Sequence, residues 1–109
     1  MIKKRAEIIF SSVVAGELLS GFRRGNRYDT NNKELREFLD YPMVRLVTVN
    51  LTTAERYGLI YASLRKNGTP IPTNDMWVAA HTLETGAELV TFDRHFECVE
   101  NLALTIFEN

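Results

Sequence analysis

Cysteine is nearly missing from this sequence: Cys98 is the only one in 109 residues. An internal disulfide is therefore excluded, and with it a disulfide-stapled secreted scaffold. His81 and His95 form no zinc-type spacing with Cys98, so a zinc site is not expected. No apolar stretch approaches the length that spans a bilayer. "MIKKRAEIIFSS" opens basic, but its apolar part is too short for a secretory core and contains Glu7, so a cytoplasmic location is expected. Neither sign of charge dominates. The formal net charge is -1, so no global basic field attracts nucleic acid, and any such contact must rest on a local patch. There is no Gly-x-Gly-x-x-Gly and no phosphate loop with Gly-Lys-Ser/Thr, which removes nucleotide binding by those routes. Repeats, low-complexity tracts and linkers are absent too.

What remains has ordinary globular proportions, 45% hydrophobic and 25% charged. The length predicts one domain over residues 1–109, burying roughly two-thirds of the surface its unfolded chain exposes. Ala6–Ser12 reads as a buried strand, after which Ser12 caps a helix from Val13 to about Phe22 with Val14, Leu18 and Phe22 on one stripe. "RRGNRYDTNN" (Arg23–Asn32) reads as a charged loop or a frayed helical end. A second helix follows through Leu35, Phe38 and Leu39 and stops before Pro42. Met43–Val49 is a β-branched strand. Thr52 or Thr53 caps a third helix that runs through Leu64. Thr73 caps a fourth, ended by Gly86. "AELVTF" and "LALTIFE" are the last strands. Helices alternating with apolar strands predict an α/β domain with a parallel sheet covered on both faces.

Three acids stand out by position. Glu17 lies just past the first strand, Asp75 in the first turn of the fourth helix, and Asp93 directly after "ELVTF". In an open parallel sheet, strand carboxyl ends and the following helix N-termini share one edge, where ligands bind. Each acid also has an ordinary role open to it. Asp75 complements a helix dipole, Asp93 opens a turn on its own backbone, and Glu17 faces solvent. Glu17 nevertheless sits in an apolar stretch, where a charge is costly unless compensated. Three acids on one edge without an obvious cation point to a hard divalent ion, Mg²⁺ or Mn²⁺, and to phosphodiester hydrolysis. "FRRGNR" carries Arg23, Arg24 and Arg27 beside that crevice as a candidate RNA-binding patch.

"SSVVAGELLSG" (Ser11 to Gly21) and "PTNDMWVAAHTLETGAELVTFDRHF" (Pro72 to Phe96) resemble the PIN-domain family, specifically the VapC-type toxins of toxin–antitoxin pairs. The resemblance covers nearly the whole chain. It implies a three-layer α/β/α domain and a Mg²⁺- or Mn²⁺-dependent endoribonuclease. It also implies a VapB-like antitoxin partner and a homodimer. The family's catalytic and metal-binding acids map onto Glu17, Asp75 and Asp93, with Ser12, Asn74 and Thr91 as supporting side chains. One departure stands out. The family opens with a strand bearing a first aspartate, followed by a helix, and no aspartate precedes Glu17 here. "MIKKRAEIIF" then reads as the end of that helix running into the second strand, and the first, central strand is expected to be missing. Such a gap leaves two rows of backbone groups unpaired, so the sheet must close up or borrow a strand from another chain. Two functions compete on this reading. One is an active RNase. The other is a catalytically impaired domain that binds an antitoxin or itself. A phospho-acceptor signalling domain needs a late lysine, and none follows Lys66.

Overall fold

A computed structural model describes residues 1–108. The chain order is β1 (Ile2–Lys4), β2 (Glu7–Ser11), α1 (Ser12–Arg24), α2 (Tyr28–Leu39), β3 (Val44–Val47), α3 (Leu51–Asn67), α4 (Thr73–Thr85), β4 (Glu88–Thr91), a short 3-10 helix (Arg94–Cys98) and β5 (Leu104–Ile106). The strands form one sheet in the order β3-β2-β1-β4-β5. β2 is parallel to β3, and β4 is parallel to β5. The α/β expectation holds, with one strand reversed.

That reversed strand corrects the reading of the N-terminus. The central position is not missing, because Ile2–Lys4 occupies it, antiparallel to both neighbours. Ile2 faces Ile9 on one side and Leu89 on the other, and all three are at most 3% exposed. Val90 N–H donates to the Met1 carbonyl at 2.6 Å. The backbone rows that a gap would orphan are therefore paired within the chain, and no strand has to be borrowed. Lys3 and Lys4 face outward while Ile2 is buried. So "MIKKRA" is a strand and a tight turn, not the end of a helix. The turn is Arg5–Ala6, with Arg5 in the left-handed region at φ 54°. Two-residue hairpin turns favour glycine or asparagine at such positions. With arginine there, the turn carries no sequence signal.

The helix starts also differ from expectation. Ser11, not Ser12, caps α1, accepting Val13 N–H at 3.1 Å. Asn50, not Thr52 or Thr53, caps α3, and Thr53 completes a capping box by accepting Asn50 N–H. Pro72 precedes α4 with no side-chain cap, so Thr73 is merely its first residue. Tyr28–Asn32 is helical, which shortens the expected loop to three residues between α1 and α2. Gly68 and Gly86 close α3 and α4 in the left-handed conformation, as a glycine terminator should.

Side chains alternate across the sheet. Phe10 points to α2, meeting Phe38 edge-on at 5.5 Å between ring centroids. Ile9 and Ser11 point the other way, toward α4. Ser11 Oγ accepts Val13 N–H and is also hydrogen-bonded with His81 Nδ1 at 2.8 Å. His81 is fully buried, and its Nε2 has no protein partner. This contact ties the first residue before α1 to the middle of α4, so the two helices that carry Glu17 and Asp75 share an anchor. The core lies between the sheet and α3/α4, around Ile2, Ile9, Ile60, Leu64, Met76 and Leu89. Trp77 is half-buried and stacks on Tyr57 at 3.9 Å. No described helix is long and apolar enough to cross a membrane.

Candidate metal centre

The site forms where β4 ends and α4 begins. Asp75 is the third residue of α4. Its side chain is 23% exposed. The first-turn position puts its carboxylate by the helix's free N–H groups. Asp93 follows β4 by two residues and caps the 3-10 helix, its Oδ1 accepting His95 N–H at 2.8 Å. Asp93 N–H in turn donates to Thr91 Oγ1 at 3.1 Å. Thr91 therefore holds the turn that presents Asp93.

Asp75, Asp93 and His95 bring one ligand atom each within 4.8 Å of one another. His95 Nδ1 lies 3.2 Å from Asp93 Oδ1 and 3.8 Å from Asp75 Oδ2. Among the described residues, no lysine or arginine forms an ion pair with Asp75, Asp93 or Glu17. Burial pushes the Asp75 carboxyl above the ordinary aspartate range. Asp93 and, more weakly, Glu17 push it further in the same direction, while His95 opposes them. A carboxylate crowded by like charge and poorly compensated is a fit for a hard cation.

Glu17 stands outside the tight group. It lines an open groove of about 440 Å³ with Val13, Gly16, Ser20, Arg24 and Asn74. Its exposure removes the desolvation argument made from its apolar neighbours; Leu18 beside it is 38% exposed too. Of the supporting residues, Asn74 reaches this groove and Ser12 begins α1, half-buried. The arginines divide. Arg24 lines the groove. Arg23 stacks over the Tyr28 ring at 3.6 Å, and Arg27 is exposed just before α2. The sequence reading missed His95, having tested histidines only for zinc spacing with Cys98. The signal was the Asp-x-His spacing, since an aspartate cap brings the residue two places on against its own carboxylate.

The PIN-domain family model matches residues 1–102. The chain belongs to the PIN-domain family. It is 28% identical over 105 residues to ribonuclease VapC2 of Rickettsia felis, covering 95% of this chain and 77% of that protein. Ribonuclease VapC1 of Haemophilus influenzae is 26% identical over 96 residues, covering 87% and 70%. Among solved structures, VapBC2 of R. felis bound to a promoter DNA fragment superposes with a TM-score of 0.83 at 27% identity, covering 94% of this chain and 76% of that one. VapBC-1 of H. influenzae gives 0.83 at 25%, covering 92% and 74%. This PIN domain thus shares its fold with those proteins.

Proposed function

We propose that this PIN domain is a metal-dependent endoribonuclease of the VapC type, cutting RNA phosphodiesters at the edge that carries Asp75 and Asp93, with Glu17 in the adjoining groove. The observation that carries the reading is the crowded carboxylate pair Asp75–Asp93 at the strand-end edge, with no lysine or arginine ion pair among the described residues, in a chain whose relatives are named ribonucleases. Asp75 and Asp93 would hold Mg²⁺ or Mn²⁺, with Glu17 near enough to add to the negative field at Asp75. Such an ion, when bound, lowers the pKa of water and polarises the phosphoryl oxygen. The residues of the chain do the rest. Arg24 offers a cation to an RNA phosphate along the groove. Asn74 and Ser12 supply polar contacts near the acids. Thr91 keeps Asp93 in place through its backbone N–H. Arg23 and Arg27 lie further out and add only general attraction.

The structural neighbours are VapBC assemblies, which supports a VapB-like antitoxin as the protein partner. A cationic tail suits an edge that carries Asp75 and Asp93, with Glu17 in the adjoining groove. The filled central strand answers only the scaffold part of the case for a non-catalytic, antitoxin-binding or self-associating module, which stays the alternative. Cleavage of RNA by the purified chain tests the proposal, with Mg²⁺ or Mn²⁺ added, beside a chelator control and Asp75→Asn. Activity should vanish on chelation and fall by on the order of a hundredfold or more in the variant. Cleavage that survives both would sink the metal-centre reading.

A further inference from the structure

His95 is the side chain in this site that the acid pattern does not explain. It is 60% exposed, so packing does not demand it. Its position is nevertheless set twice. The Asp93 cap holds its backbone N–H at 2.8 Å, and its Nδ1 stands between two carboxylates rather than against one. At 3.2 Å from Asp93 it is within weak hydrogen-bond range, but 3.8 Å from Asp75 is too long for a hydrogen bond. Ligands about 2.1 Å from an octahedral ion lie about 3.0 Å apart when adjacent and about 4.2 Å apart when opposite. The separations of 3.2 and 3.8 Å fall within that range. His95 Nδ1 thus lies at ligand-like separations from both carboxylates, and the three residues bring one donor atom each within 4.8 Å of one another.

We propose that His95 is a nitrogen ligand of the ion held by Asp75 and Asp93, and that it makes the centre prefer Mn²⁺ to Mg²⁺. The inference rests on the nuclease reading above and specifies which ion serves it. Mg²⁺ keeps to oxygen donors in a near-ideal octahedron. Imidazole belongs with first-row transition ions, and among these Mn²⁺ retains the appetite for carboxylate and water that two aspartates supply. His95 is then a ligand whose chemistry sets ion choice, while Glu17 stays outside the tight group.

The test is metal binding, independent of cleavage. Metal-stripped protein is titrated with Mn²⁺, free ion being read by electron paramagnetic resonance, and Mg²⁺ affinity is obtained by competition. Wild type, His95→Ala and Asp75→Asn are compared, each checked for its fold by circular dichroism. Loss of even an outer-shell partner of a metal costs roughly tenfold to a hundredfold in affinity. So His95→Ala should weaken Mn²⁺ at least about tenfold and Mg²⁺ by less than about threefold. Asp75→Asn should weaken both. Electron spin-echo modulation from a directly coordinated ¹⁴N should be present in wild type and absent in His95→Ala. A merely structural histidine would not produce that signal, and its absence from wild type overturns the proposal even if a variant fails to fold. Equal effects of His95→Ala on both ions also overturn it, while leaving the carboxylate centre standing if Asp75→Asn still abolishes binding. A wild type that binds neither ion removes the nuclease reading and this inference with it.

Discussion

Replacing Ile2 by alanine separates a core strand from a tail lying on the sheet. Ile2 is 3% exposed and lies between Ile9 and Leu89. The substitution removes three methylene-sized groups, about 2.4 kcal/mol of transfer free energy at about 0.8 kcal/mol each. The cavity left between two neighbouring strands raises the loss toward about 4 kcal/mol, depending on how far the site collapses. A chain of this size has a total stability on the order of 5–15 kcal/mol, so the loss is a large share. The melting temperature should fall by about 10–25 °C. Urea unfolding followed by fluorescence reads the effect, because Trp77 is the single tryptophan and its stack on Tyr57 is lost on unfolding. The midpoint should drop with the slope unchanged. Lys3→Ala, one residue along on an exposed side chain, should stay within about 0.5 kcal/mol. An Ile2→Ala loss no larger than that of Lys3→Ala would show that the N-terminal segment is not a working strand, and the cost of a gap beside β2 and β4 would return.

Asp75→Asn should make the metal-free protein more stable near neutral pH. Burial and the neighbouring acids raise the Asp75 pKa in the folded state, so folding binds its proton more tightly. Its contribution favours the fold at low pH and becomes a net cost as pH rises through the raised value. The group is partly exposed, so screening leaves only a few tenths of a kcal/mol, a gain of about 1–3 °C in thermal melting. The gain should disappear below the ordinary aspartate range, and a variant that melts lower near neutral pH contradicts the crowding. Arg24→Ala should weaken RNA binding across sequences and reduce the salt slope by about 1, measured by affinity against salt concentration; an unchanged slope removes Arg24 from the phosphate path. Asn50→Ala should cost about 1 kcal/mol in urea unfolding through loss of the α3 cap. Its effect on cleavage should be negligible, because α3 carries none of the acids.

Much of the candidate site is legible in the sequence, for a local reason. Asp93 directly follows an apolar strand, and Asp75 opens a helix that returns to the sheet through Gly86. Chain order alone puts both at strand-end positions, and the αβ unit between them is short enough to bring its ends together. Alternating apolar strands and helices likewise determined the α/β class. Tertiary contacts decided what local patterns left degenerate. Ser11 and Ser12 are equivalent as caps by sequence, and the buried His81 settles the matter by bonding Ser11. Glu17 sits among apolar neighbours along the chain, yet the helix leaves it exposed, because helix neighbours in sequence point in different directions. His95 joins the acids only because an aspartate cap folds the chain back on itself. The direction of β1 is the clearest case. Three residues and a turn without glycine carry almost no local preference. What selects the antiparallel central strand is the pair of open backbone rows on β2 and β4 and the apolar slot between Ile9 and Leu89, and those exist only once the rest of the chain has folded.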